Sequence, residues 1–305
     1  MNTQLIATRS VEASQPPFLH ARFLSIMRGE FLKIARLFWS MLILLTAGFV
    51  VAFWLGSISA TAKDLQETPL HFLYNSLESN LVMVRILGGI FLLVLTSFTI
   101  GREYQYGTIR ILLARGAGRV QLLLAKIAML ALLALALLAG FTLLTVLLTC
   151  IQMLTLVGNL HGFSALTSAF WPNMGIDLLS VLISMGTTLL LAAAMNALGR
   201  SLTFGLSVSL IWFPIDNIAT LIMNTLARVT HSDFWSNVTT YLLGPLLNRL
   251  PTFLLPADVR SGFESFGSGP LSSVSGPHAL WVIAVYALVF FTLALVFTWK
   301  RDVKE

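Results

Sequence analysis

Arg85 and Asp216 are charges set inside long apolar stretches. An unpaired charge at the centre of a membrane helix costs about 3 kcal/mol even on the lenient insertion scale. Arg85 lies 16 residues before Gly101, and Asp216 lies 15 residues after Ser201. At ~1.5 Å per helical residue those are depths of ~24 and ~22 Å, nearly level. The spacing predicts that the two meet, as a static pair or as a latch that parts, or that Arg85 reaches water by itself. Polar side chains also fall in stripes. Thr142, Thr145, Thr149 and Gln152 recur at helical steps of three, four and three, and Ser180, Ser184, Thr188, Ala192 and Asn196 recur every four. Such faces turn away from lipid because buried hydroxyls and amides need partners. They pack helices together or line a translocation path.

Other chemistry is scarce. His71, His161, His231 and His278 fall in three separate segments without H-x-x-x-H spacing, so no metal site is expected. The single cysteine, Cys150, lies in an apolar run, excludes an intrachain disulfide and reads as a small hydrophobe. No G-x-S-x-G, H-E-x-x-H or clustered acids occur, so no catalytic residue is assigned. G-x-x-x-x-G-K-[ST] is absent too, so the chain has no phosphate-cradling loop to hydrolyse ATP by that route.

The elements that hold these residues follow from hydropathy. Of 305 residues 57% are apolar and only 10% charged, with a mean hydropathy of +0.85. A soluble domain carries about 25% charge. The chain cannot coat a globule, which excludes a soluble enzyme and predicts an all-α polytopic membrane protein. Its pI near 9.8 fits Lys/Arg-rich loops beside anionic lipid better than nucleic-acid binding. Six spans are expected, at about 37–58, 81–100, 124–157, 177–199, 201–224 and 279–299. With the N-terminus inside, fourteen Lys and Arg fall on inner segments against four on outer ones. That asymmetry places both ends in the cytoplasm. Residues 1–36 form a cytoplasmic N-terminus, 37–299 the transmembrane domain and 300–305 a cytoplasmic tail. The first apolar stretch begins too late for a cleavable signal peptide.

Three further features refine this layout. In Phe18–Phe38, apolar residues at three- and four-residue steps alternate with Arg22, Arg28, Glu30, Lys33 and Arg36. The pattern predicts an amphipathic helix lying flat in the inner headgroup layer and feeding span one. The outer loop 228–278 carries apolar patches at Phe234–Trp235, Tyr241–Leu243 and Phe253–Leu255, which fit either short helices dipping back or an irregular loop. Trp39, Trp54 and Trp281 read as interfacial anchors. No fixed-period repeat supports an inverted-repeat secondary transporter.

The segment Gly101–Lys126, GREYQYGTIRILLARGAGRVQLLLAK, packs five basic residues and one acid between spans two and three. Gly107–Thr108 can break the helix leaving span two, because glycine tolerates the turn and threonine caps the next helix. Ile109–Ala114 would then form a short helix ended by Gly116-Ala-Gly118. On physical grounds alone this is a charged linker or a handle for a cytosolic motor.

The segment resembles the signature of ABC exporter permeases of the type-2 family. That signature has an acid after span two, Gly-Thr, an apolar turn, a small-residue/Arg break and a Lys opening span three. Glu103, Gly107, Thr108, Arg119 and Lys126 stand at these positions, and Phe297–Asp302 is similar to the family's aromatic, basic-basic-Asp close. The resemblance implies a coupling elbow with Arg102, Glu103, Gly107, Thr108, Arg110 and Arg119 facing an ATPase. It implies export of an amphiphilic, peptide or drug-like cargo across the plasma membrane by alternating access. The partners implied are two copies of a cytosolic ABC ATPase and a second permease chain, identical or not, all in membrane lipid. ATP and Mg would be bound by the ATPase and no cofactor by this chain. Two rivals are a six-helix secondary transporter or channel using Arg85 and Asp216, and an integral-membrane lipid-modifying enzyme.

Overall fold

The computed structural model describes residues 23–58, 60–107, 118–256 and 267–300. Every regular element among them is helical. They are α1 (Phe23–Gly56), α2 (Ala62–Glu67), α3 (Pro69–Gln105), α4 (Arg119–Val157), α5 (Phe170–Gly199), α6 (Leu202–Thr230), α7 (Asp233–Val238), α8 (Leu243–Leu254) and α9 (Gly276–Lys300), with 3-10 turns at His161–Ala165 and Thr239–Tyr241. Six of these helices, α1, α3, α4, α5, α6 and α9, are long and apolar enough to cross a membrane. The chain is a multi-pass membrane protein.

The helices outrun the apolar stretches that announced them. α3 has 37 residues and α4 has 39, or ~56 and ~58 Å at 1.5 Å per residue, against ~30 Å of hydrocarbon. The polar run Asn75–Asn80 interrupts hydropathy without interrupting helix, because Leu73 and Leu77 on the same stretch are buried against neighbours. α1 is likewise one uninterrupted helix from Phe23. Residues 23–38 therefore belong to the same helix as span one; the start of the segment expected to be amphipathic lies outside the described residues. The reason is local: nothing between Phe23 and Phe38 breaks a helix strongly enough to turn it.

α5 is the central rod, packed against α3, α4, α6 and α9. The apolar windows of α3 and α5 are 67% buried, those of α1 and α6 only 17%. α3 and α5 thus make the core, while α1 and α6 turn apolar faces outward to lipid or to another chain. Close approach depends on small residues. A Cβ on Gly101 would stand 2.4 Å from Asn196 Oδ1 and 2.7 Å from Leu202 Cα, and one on Gly205 would stand 2.2 Å from Asn196. Three helices meet there around one buried amide, whose Nδ2 donates to Ser97 Oγ at 2.9 Å.

The loop 228–278 is largely structured. Among its described residues, α8 buries Leu243, Leu246 and Leu250 completely and packs against α9, α6 and α5. Its first turn meets Asp216, which lies midway along α6. Of the two readings of this loop, a helix dipping back among the spans is the one observed.

Candidate functional site

Four charges meet at the end of the bundle where α1 begins. Lys33 on α1 lies 2.5 Å from Glu30 Oε1 and 3.0 Å from Glu103 Oε1 on α3. Lys126, near the start of α4, lies 2.6 Å from Glu103 Oε2 and 3.2 Å from Glu30 Oε2. Each acid contacts both bases, so the four close a ring that ties three helices together. Lys126 is only 3% exposed and also donates to the carbonyl of Thr99 at 2.7 Å. A buried ammonium with three acceptors is satisfied, and removing one acid would leave it two and the ring one positive charge in excess. Lys33 is about half exposed, so the ring has one wet corner.

The ring stands where the elbow leaves the bundle. α3 ends at Gln105 and Gly107 adopts φ +66°, the left-handed conformation that glycine takes without strain. Arg102, in the last turn of α3, lies over the rings of Phe98 and Tyr106 at 5.9 Å each, and Arg119 opens α4. Thr108, Arg110 and the short helix expected at Ile109–Ala114 lie outside the described residues.

A second cluster lies at mid-depth, where Arg85 and Asp216 take the same helix as partner instead of each other. Pro251 lies inside α8 and has no N–H to give the carbonyl four residues earlier, that of Leu247. Arg85 Nη1 fills the gap, donating to Leu247 O at 2.6 Å and to Asn248 O at 3.0 Å. At the other end of α8, Asp216 Oδ2 accepts from Gly244 N–H at 2.8 Å. A carboxylate at a helix N-terminus meets unpaired N–H groups and the positive end of the dipole. Charges from α3 and α6 therefore brace one re-entrant helix from both sides. No ion pair between Arg85 and Asp216 is present. Equal depth brought them level, but α8, unplaced by the sequence, lies between them.

Asp177 is the acid that attracts Arg85 electrostatically; it is buried on α5 and not hydrogen-bonded to Arg85. Its signal was faint, since it falls at the very edge of span four. The polar stripes face inward: Thr145, Thr149, Gln152, Ser180, Ser184, Thr188 and Asn196 are all buried, and Thr142 is half-buried. Several hydroxyls return to their own helix, as Thr142 does to Leu138 O and Thr188 to Ser184 O. Two contacts reach across helices, Ser76 to Thr149 at 3.1 Å and Asn196 to Ser97. Ser184 and Thr188 also line a cavity of about 240 Å³ beside Arg85. Gln152 lines one of about 340 Å³ between α1, α3 and α4, near the end opposite the charge ring. Among the described residues no group of His, Cys, Asp and Glu could hold a metal ion; His278 packs on Tyr241 and meets the Thr240 carbonyl at 3.3 Å.

No individually curated protein matches the chain significantly. Residues 26–215, which contain the charge ring, Arg85, α1 from Ile26 onward and the whole of α3, α4 and α5, match the family model described as ABC-2 family transporter protein, and the chain belongs to that family.

Proposed function

We propose that this chain is the permease of an ATP-driven exporter of the plasma membrane, worked by alternating access, with both termini and the charge ring on the cytoplasmic side. Family membership makes it the membrane subunit of an ABC transporter, with an ABC ATPase and a second permease as its general partners. Two ATPase copies would bind ATP and Mg, and the elbow 101–126 would receive their stroke. The observation that carries the reading is the ring of Glu30, Lys33, Glu103 and Lys126. It fastens α1, α3 and α4 together where the elbow joins them, so a push on the elbow moves three helices as one body. The outward apolar face of α6, with Ile211, Ile215, Ile218 and Ile222 exposed, supplies area for a second permease.

Glu103→Ala tests this. Lys126 would keep Glu30 and the Thr99 carbonyl, so the chain should still insert and bind its ATPase, whereas α3 would lose its grip on α1 and α4. Export should fall at least about tenfold, as loss of one charge-assisted contact allows, while ATP hydrolysis persists. Export unchanged in Glu103→Ala would refute the coupling role.

A further inference from the structure

The cavity beside Arg85 has a chemistry that names a ligand class. It is enclosed by α3, α5, α6 and α8 and is mostly apolar, with Ile86, Ile90, Leu93, Phe213 and Leu247 in its wall. Its amides are occupied. Asn217 Nδ2 donates to Phe213 O at 2.8 Å, and Asn248 Nδ2 donates to Asn217 Oδ1 at 3.3 Å and to Ser268 O at 3.1 Å. Arg85 is different. It is 5% exposed, its Nη1 is engaged by α8, and its Nη2 is buried without any partner. A guanidinium stays charged in proteins and its flat fork matches a carboxylate or phosphate. Asp177 attracts it and Arg249 repels it. Asp177 is not among the residues lining the cavity.

Resting on the reading of the chain as a transporter, we propose that this cavity takes the negative group of a monoanionic amphiphile, with the carboxylate or phosphate against the Arg85 guanidinium and hydrocarbon against the apolar wall. About 240 Å³ holds roughly eight water-sized groups. That is room for one anionic group and about six carbons, and too little for a polyanion or a macrocycle. The anion completes the hydrogen bonding of a guanidinium that the fold leaves half used. A cation at the same place would be repelled by the guanidinium.

The test uses the full chain in nanodiscs, without its ATPase, and a hexanoate-length carboxylate bearing an aliphatic diazirine. Photolabelling of the α3 segment 85–93, read by mass spectrometry, should saturate and should be about tenfold to a hundredfold stronger than with the methyl ester of the same probe. Arg85→Gln should lose that preference. Because Arg85→Gln also removes a brace of α8, a second variant leaves the guanidinium intact. A Cβ on Gly89 meets nothing closer than Thr188 Oγ1 at 3.9 Å, so Gly89→Leu can fill the cavity and should abolish labelling. Equal labelling by acid and ester, or full labelling of Gly89→Leu, overturns the proposal. Running the assay in phosphatidylcholine and in phosphatidylglycerol discs separates the sources. Loss of labelling in the anionic discs assigns the site to a lipid headgroup, and persistence assigns it to a separate cargo. Since no ATPase is present, failure here leaves the coupling ring standing, and failure of Glu103→Ala leaves this site standing.

Discussion

The brace between Arg85 and α8 can be weighed by a double-mutant cycle with Pro251. Arg85→Met removes two charge-assisted hydrogen bonds and leaves Asp177 without its electrostatic partner. The Asn248 carbonyl still has the N–H of Thr252, four residues on, as a helical donor. The Leu247 carbonyl has none, because residue 251 is proline, and an orphaned buried carbonyl costs about 1–3 kcal/mol. Pro251→Ala restores that donor. With Arg85 present the new N–H is redundant and stability should change little or rise. In the Arg85→Met background it should recover the orphan cost, while the penalty at Asp177 occurs equally with either residue at 251 and cancels. A coupling of about 1–2 kcal/mol is expected, half or more of the carbonyl term. For a chain of this size that is ~2–4 °C in apparent Tm, well resolved by thermal denaturation of protein in nanodiscs. If Arg85→Met lowers Tm by the same amount with Pro or Ala at 251, the guanidinium is not serving the carbonyl that proline frees.

Two further outcomes rest on geometry. Gly101→Ala should destabilise by about 1–3 kcal/mol, as overpacking does, because its Cβ would collide with Asn196 and the Leu202 backbone. Gly140→Ala, with nothing within 4 Å, should not, and equal Tm values for the two variants would contradict the packing. At the other end, the Thr61 hydroxyl, and secondarily its backbone N–H, hold the Asp64 carboxyl below the usual carboxylate range. The α2 cap is thus fully present above pH ~3.8 and lost as pH falls through the lower folded value. Thr61→Val should raise the Asp64 midpoint in a carboxyl-carbon NMR titration, and an unmoved midpoint would show that the cap is not the cause.

Much of this was legible because membrane insertion writes itself into the sequence. Six apolar runs announced six helices, since a lipid-exposed segment has few other ways to satisfy its backbone. Glu103 and Lys126 stood out as charges flanking the elbow, and Glu30 and Lys33 as charges on a patterned lead-in. What joined them was hidden, because contacts between positions 30, 103 and 126 depend on how α1, α3 and α4 pack. Helix lengths were underestimated because hydropathy reports lipid contact, while buried polar turns such as Asn75–Asn80 are carried by their neighbours. The pairing of Arg85 with Asp216 was read from depth alone. Depth is one coordinate, and α8 occupied the space it could not describe. The sign was nevertheless present: Pro251, in an apolar run of the loop, freed a carbonyl that needed a donor.

The ring and the brace lie on one rod. Arg85 and Glu103 are 18 residues apart on α3, which is five turns and ~27 Å at 3.6 residues per turn and 1.5 Å per residue. They therefore point to the same side of a single helix. One end is held by the ring to α1 and α4, the other to α8, and a shift at the ring reaches α8 only as fast and as far as α3 is stiff. Val94 lies midway between them and is only half-buried, so it can be altered without opening the core. Glycine there costs about 1 kcal/mol relative to alanine in helix propensity and loosens the rod without touching either cluster. Val94→Ala should export normally, whereas Val94→Gly should leave the partner ATPase hydrolysing ATP at the normal rate and export less. The two variants should differ in Tm only by what the propensity gap alone gives, about 2 °C. Equal export by the two would mean that the stroke does not travel along α3, and the ring and the brace would then be two independent structural clamps.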